Sequence, residues 1–330
     1  MDISTFFLGL KLKNPIIVAS GPLTKDVKGV KRCVEAGAGA VVLKSLFEEQ
    51  LSHDTSDTRE AMTRQAFGNS AAYDYLDADV EMQYASREYL QTIQACKESA
   101  GVPVIASVNC TSAKFWREFS SQIQLAGADA LELNIALFPK DIHKTAAEIE
   151  NEYVEVVKLA KQTVSIPLAV KLGPFFTHLP NMLYRLSEAG ADGFVLFNRF
   201  YPPTIDIDTP GMTEGSKHSA EHEISGPLRA IGLCEGRFPG DFAATTGIHT
   251  GEDLVRLLLA GASAVQILTT LLQNGKGRLA EMLDFLRAWM EKKRYDSIDE
   301  FRGMLAEVRS PEAGFFSRTQ YMAMYGRKNP

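Results

Sequence analysis

Short apolar runs alternate with longer amphipathic stretches along most of this chain, and one junction between them recurs. It reads EAGAGAVVLKS at Glu35–Ser45, LAGADALELNI at Leu125–Ile135, EAGADGFVLFN at Glu188–Asn198 and LAGASAVQILT at Leu259–Thr269. Each copy carries Ala-Gly, and glycine suits the left-handed residue that ends a helix. Each then becomes a nearly continuous apolar run, the mark of a parallel strand buried on both faces. Each run ends on a polar residue: Lys44, Asn134, Asn198 or Thr269. Further runs at Asn14–Ser20, Val102–Asn109, Ile166–Leu172 and Asp241–Gly247 bring the set to eight. The amphipathic stretches between them, such as Ser86–Ala100 and Asn151–Val164, predict helices.

Eight strands alternating with helices predict an α/β fold of the closed (β/α)8, or TIM-barrel, type. An open doubly wound sheet is the other arrangement of such units, but no G-x-G-x-x-G follows the first strand. Barrels routinely exceed about 200 residues as one unit, so residues 1–330 are expected to form one domain. Two connections are too long for plain loops. Glu48–Arg87 follows the second strand with GNSAAYDYL at its centre, and Arg199–Glu223 follows the sixth. The latter contains PPTIDIDTPGMT, whose alternation predicts a small hairpin. Both leave from strand C-termini, where barrel enzymes place lids over their substrates. Residues 307–330 lie outside the periodic pattern and receive no predicted role.

Composition narrows the function classes. The chain is 45% hydrophobic and 23% charged with a net charge of −6, and no basic stripe suits nucleic acid. No apolar run approaches the roughly 20 residues of a membrane helix, and no cleavage site follows the N-terminus, so a cytoplasmic location is expected. Cys33, Cys96, Cys110 and Cys234 form no C-x-x-C pair. That spacing suits neither zinc nor an iron–sulfur cluster and suggests reduced thiols.

Barrel geometry turns these strand ends into a site. Lys44, Asn109, Asn134, Lys171, Asn198 and Thr246 come from different strands, yet all should converge on one face. Two lysines can stabilise anionic groups there, while asparagines offer both donors and acceptors. The last two strand ends read TTGIHTGEDL and ILTTLLQNGKG, with a helix start at Gly251-Glu252-Asp253. Hydroxyls, glycines and a helix start after the seventh and eighth strands suit the phosphate site common to such barrels.

Nine short motifs then follow in order: NPIIVASGP at Asn14–Pro22, LKS at Leu43–Ser45, GNS at Gly68–Ser70, ELNI at Glu132–Ile135, VKLGP at Val170–Pro174, FN at Phe197–Asn198, ISGP at Ile224–Pro227, TGIHTGED at Thr246–Asp253 and AGASAVQILT at Ala260–Thr269. Together they resemble the soluble branch of the dihydroorotate dehydrogenase family of FMN flavoproteins. The resemblance runs from about residue 4 to about residue 305, and SIDEFRGML at Ser297–Leu305 is similar to that family's final helix. It implies that Ala19, Ser20 and Gly21 pass their backbone along the flavin. Lys44 and Ser45 would contact its ring system, and Lys171 would stand at its pyrimidine edge, where a cation favours hydride acceptance. Ser225-Gly226, Thr246-Gly247 and Thr269-Thr270 would hold the ribityl phosphate. Asn69, Asn134 and Asn198, with Lys44, would bind a dihydropyrimidine-like substrate. The resemblance also implies a homodimer, pyrimidine biosynthesis as the setting and no membrane docking.

One departure stands out. The family follows E-L-N with Ser-Cys-Pro-Asn or Ser-Ser-Pro-Asn, whose Cys or Ser removes a proton while hydride goes to the flavin. This chain reads ELNIALFPKD. The base position falls on Leu137, or on Phe138 if Pro139 is aligned, and neither accepts a proton. The last substrate-binding Asn becomes Pro139 or Lys140, and the Gly usually before Thr269 is Leu268. Cys110, His143, Tyr73 and Asp74 are weak substitutes as base, and Asp206 with Asp208 reads as a solvated hairpin edge. Three readings therefore stay open. They are an FMN oxidoreductase on dihydroorotate or another ring, an FMN-binding protein without catalysis, and a Schiff-base aldolase using Lys171.

Overall fold

The computed structural model describes residues 1–47, 73–109, 113–137, 139–200 and 202–310. Eight parallel strands form its centre: β1 (Ile16–Val18), β2 (Ala40–Val42), β3 (Val104–Asn109), β4 (Ala130–Asn134), β5 (Leu168–Leu172), β6 (Gly193–Leu196), β7 (Asp241–Thr245) and β8 (Ala264–Ile267). Each pairs with the next, and β8 returns to β1 in the register Val265 to Ile16 and Ile267 to Val18. The ring is closed. Around it run helices α1 (Val27–Glu35), α2 (Tyr73–Ala100), α3 (Ala113–Leu125), α4 (Ala146–Lys161), α5 (Leu179–Glu188), α6 (Ser225–Cys234), α7 (Gly251–Ala260), the short α8 (Thr269–Asn274) and α9 (Arg278–Lys293). This is the (β/α)8 barrel that the alternation predicted.

Side chains alternate across each strand, so one apolar run serves two cores. Outward residues such as Leu131, Leu133, Val170, Leu172 and Val265 join one buried cluster with the inner faces of the helices. Inward residues Ile17, Ala40, Ile105, Ala130, Ala169, Val195, Ala243 and Ala264 form a second cluster with Phe7, Leu8 and Leu12. Those last three belong to an N-terminal hairpin, Thr5–Phe7 against Leu10–Leu12, and the Leu8 N–H is tied to Asp241 Oδ2 at 2.7 Å. The many alanines leave room for this hairpin to plug the lower end of the barrel. Gly37, Gly127, Gly190 and Gly261, the glycines of the repeated junction, all have positive φ, as a left-handed helix ending demands.

Three boundaries differ from the sequence pattern. Helix α2 begins at Tyr73 rather than Ser86. Its whole length lacks Gly and Pro, so nothing halts a helix of weak amphipathicity there. Helix α4 begins at Ala146, because Thr145 and Glu148 form a reciprocal capping box ahead of it. Ser297–Leu305 is not a helix. It contains only a 3₁₀ turn at Ile298–Glu300, since Phe301 leaves the helical region and Gly303 adopts a φ of 70°. After β6, Pro203–Asp206 pairs with Gly211–Glu214 as the expected hairpin. The centre of the long connection after β2 lies outside the described residues. Of 307–330, the described part packs on the barrel: the Glu307 N–H donates to the Gly232 carbonyl at 2.8 Å, and its carboxylate pairs with Arg237.

Candidate active site

Above the apolar interior lies a polar layer, built from inward positions of four strands. Ser107 on β3, Glu132 on β4, Lys171 on β5 and Gln266 on β8 are each less than a tenth exposed. Ser107 stands directly opposite Glu132 in the strand register. Glu132 Oε2 accepts a hydrogen bond from Gln266 Nε2 at 2.6 Å, and its Oε1 accepts one from Ser107 Oγ at 3.3 Å. Lys171 Nζ lies 3.8 Å from the same Oε1. A carboxylate this deep would be costly without such partners. The layer continues outward through hydroxyls: Ser107 Oγ is 2.7 Å from Ser45 Oγ, which is 3.0 Å from Ser20 Oγ. Ser20 Oγ also accepts the Ser45 N–H at 2.8 Å. Tyr89 fixes Ser107 by donating to its carbonyl and accepting from its N–H, both at 2.9 Å.

Over this layer a cleft opens at the strand C-termini, with Ala19, Ser20, Lys171, Asn198, Gln266 and Thr269 among its walls. Gln266 Oε1 is buried and has no hydrogen-bond partner among the described residues. Asn198 Nδ2 donates to Asn134 Oδ1 at 2.9 Å, so these two asparagines of β4 and β6 act as one unit. The far wall is the turn after β7. Thr246 has a φ of 82° and Gly247 a φ of 76°. A β-branched residue in that region is strained, and such strain concentrates at functional sites. Thr246 Oγ1 donates to the Phe197 carbonyl at 3.0 Å, and any Cβ on Gly247 would stand 2.2 Å from Ile224 N. Helix α7 starts at Gly251 as the motif predicted, with Thr250 and Asp253 capping it. Buried His249 links this wall to the connection after β6 and to α8: its Nε2 is 3.3 Å from Ser219 Oγ, and its carbonyl accepts from Thr270 Oγ1 at 3.3 Å.

Five residues here were not singled out by their sequence pattern: Glu132, Gln266, Arg199, Lys217 and Ser219. The first two carried a signal, as single polar side chains inside otherwise apolar strands. The other three reach the cleft from the connection after β6. Arg199 donates to Glu223 Oε2 at 2.9 Å and to the Ser216 carbonyl at 2.9 Å, clamping that connection down. Burial works against the Glu223 carboxylate, but hydrogen bonds from Arg199 and the Ala220 N–H outweigh it and hold its carboxyl below the ordinary value. A depressed carboxyl adds stability above the carboxylate range and loses it as pH falls through that range. Arg199→Met should therefore lower the thermal midpoint at neutral pH and have little effect near pH 3 (roughly, below the carboxylate range). Melting curves across this range test it, and a pH-independent loss would leave Arg199 only a packing role.

Comparisons with known proteins agree with this architecture. A family model described as dihydroorotate dehydrogenase matches residues 2–209. The chain belongs to the dihydroorotate dehydrogenase family. It is 28% identical over 318 residues to a Thermoplasma volcanium protein named dihydroorotate dehydrogenase B (NAD(+)), catalytic subunit, covering 92% of this chain and 98% of that one. A Pyrococcus furiosus protein of the same name is 27% identical over 317 residues, covering 93% and 100%. One from Methanocaldococcus jannaschii is 25% identical over 315 residues, covering 92% and 98%.

Within the altered loop, Leu137 is held through both its backbone and its side chain. Its N–H donates to Tyr153 Oη at 3.2 Å, and its side chain packs against the main core. Tyr153 is buried edge-on to Phe176, and that burial pushes its hydroxyl up from the ordinary value. Pro139 and Lys140 are exposed. Cys110, Asn69 and Phe138 lie outside the described residues. His143 is exposed with its N–H bonded to Asp141 Oδ1 at 2.9 Å, and Tyr73 and Asp74 fall in the first turn of α2. Asp206 serves its own turn: Thr209 Oγ1 donates to it at 2.6 Å, helping hold its carboxyl low, and the Asp208 N–H donates at 2.9 Å.

The remaining predicted positions differ in exposure. Ser45 and Thr270 are buried, and Asn109 is half-buried at the end of β3. Lys44 is exposed, with its N–H given to the Thr24 carbonyl at 3.2 Å. Ser225 and Gly226 open α6 in exposed positions, and Ser225 Oγ donates to the His222 carbonyl at 3.0 Å. Leu268 leans over Gly21, where a Cβ would lie 2.5 Å from its Cδ2. The described cysteines, Cys33, Cys96 and Cys234, are free and buried, with burial raising Cys96 to about 11 and Cys234 to about 12. Among the described residues, no helix is long and apolar enough to cross a membrane.

Proposed function

We propose that this oxidoreductase uses FMN to oxidise or reduce a CH–CH bond beside a carbonyl in a dihydropyrimidine-like ring, with dihydroorotate as the substrate to test first. Family membership gives the reaction class: an oxidoreductase acting on a CH–CH group. The observation that carries the cofactor reading is the buried pair at the cleft floor. Lys171 presents a cation, and Gln266 presents an acceptor that lacks a donor among the described residues. A heteroaromatic ring with a polar edge would meet both. The residues fit the group.

When bound, FMN supplies the hydride acceptor. In this reading Ala19, Ser20 and Gly21 run along the ring, with Lys44 and Ser45 beside it. Lys171 holds the pyrimidine edge and stabilises negative charge there. Thr246-Gly247, Thr269-Thr270 and Ser225-Gly226 hold the phosphate. Asn134 and Asn198, already coupled to each other, present the remaining amide groups to the substrate, with Asn69 from the connection after β2. A Schiff base on Lys171 fits less well, because the lysine faces a buried carboxylate, a pairing that suits a cation. The relatives' names add a point about assembly. Proteins named catalytic subunits act with another chain, and their names include NAD(+). A partner chain carrying electrons towards a nicotinamide therefore joins the homodimer as a proposed assembly.

The test is direct. Purified protein should show flavin absorption, and anaerobic dihydroorotate should bleach it. Protein that takes up no flavin even after FMN addition would sink the cofactor reading. Leu137 favours one second reading, an FMN-binding protein without catalysis; bound flavin that no dihydropyrimidine reduces would establish that instead.

A further inference from the structure

A dehydrogenation at this site releases a proton as well as a hydride, and Leu137 cannot take it. The one buried carboxylate of the polar layer can be reached from the cleft by another path. Ser20 lines the cleft, and from its hydroxyl the contacts run to Ser45 at 3.0 Å, to Ser107 at 2.7 Å and to Glu132 Oε1 at 3.3 Å. Each hydroxyl can accept one proton and release its own. We propose that Glu132 is the proton acceptor of this site, reached from the cleft through Ser20, Ser45 and Ser107. The inference rests on the flavin reading above.

Charge balance gives the step its driving force. At rest the layer holds the Lys171 cation and the Glu132 anion, which cancel. Polar groups face Glu132 from three strands: Lys171 of β5, Gln266 of β8 and Ser107 of β3. Among these described contacts, Lys171 is the charged one. Further out in the cleft, Lys217 is the other cation beside Arg199, which is held by Glu223. With FMN bound, a hydride leaving the substrate carbon would carry two electrons to it, and the negative charge gained would be met by the Lys171 that would hold the ring. Uncompensated, that charge sits with Glu132 in a water-poor site, where like charges repel strongly. The proton released from the adjacent substrate carbon passes to Ser20 Oγ, and the Ser20 proton passes to Ser45. The Ser45 proton goes to Ser107, and the Ser107 proton to Glu132 Oε1. Each oxygen breaks one O–H bond as it forms another. The substrate is oxidised, the flavin reduced, and the layer is neutral again. Gln266 Nε2, 2.6 Å from Oε2, holds the carboxylate in the orientation that keeps Oε1 on Ser107.

Two measurements on the FMN-loaded protein decide the matter. First, the flavin midpoint potential is followed against pH by equilibrium titration. The wild type should fall with the slope of two protons per two electrons, and Glu132→Gln with the slope of one. Equal slopes in the two proteins would overturn the proposal, because the second proton would then belong to the flavin itself or not exist. Second, Ser107→Ala keeps the carboxylate and breaks the chain. It should leave the wild-type slope intact while slowing flavin reduction by dihydroorotate on the order of 100-fold. An unchanged rate would remove the hydroxyl path. Retention of FMN by both variants reports that they fold. Failure of the wild type to bind FMN would refute the flavin reading, whereas a flavin-loaded wild type with a one-proton slope would refute only the role of Glu132.

Discussion

Lys171→Met is expected to cost about 3–5 kcal/mol at neutral pH, the typical loss when one partner of a buried ion pair is removed. The methionine fills similar space, so the loss would come from Glu132, which keeps Gln266 and Ser107 but loses its counter-charge. The unfavourable term is the charge itself, since an uncompensated buried carboxylate is costly where a neutral carboxamide of the same shape is not. Adding Glu132→Gln to Lys171→Met should recover most of the loss, since a neutral pair needs no counter-charge. Urea unfolding of the three proteins at neutral pH measures this. A loss unrelieved by the second substitution would show that Lys171 matters only by packing.

Gly247→Ala is expected to be the most damaging small substitution at the site. Its φ of 76° strains any side chain, and the new Cβ would lie 2.2 Å from Ile224 N, a backbone atom that cannot rotate away. Either the turn after β7 or the start of α6 must shift, at a cost of roughly 3 kcal/mol. That turn is a wall of the cleft, so FMN affinity should fall along with the melting temperature. Gly277→Ala is the control. A Cβ there meets nothing within 4 Å, and its φ of −56° suits alanine as well as glycine. Fluorescence titration with FMN and thermal melts read both variants. A Gly247→Ala protein that melts and binds like the wild type would refute the reading of this turn as a rigid wall.

How far the sequence could be read depended on the range of the interaction involved. The four Ala-Gly junctions set helix endings and strand starts from within a few residues, and those glycines do take positive φ. The hairpin at Pro203–Glu214 was equally local, fixed by alternation around a turn that Asp206 ties to Thr209. Helix α2 was underestimated because it has little amphipathicity to betray it. Ser297–Leu305 differed in the other direction: the family resemblance implied a helix there, and the chain leaves the helical region already at Phe301.

By itself the sequence determined the barrel, because strands buried on both faces must be apolar throughout and must return through helices. It determined the set of polar strand ends, and the gap in the family's chemistry at Leu137. Only the tertiary structure decided what lies beneath them. Ser20, Ser45, Ser107, Glu132, Lys171 and Gln266 are scattered over most of the chain, and nothing local relates them. Closing the ring places all six within successive contacts of one another. In an apolar strand, one polar residue says that something must satisfy it; which partner does so is set by the strands across the barrel.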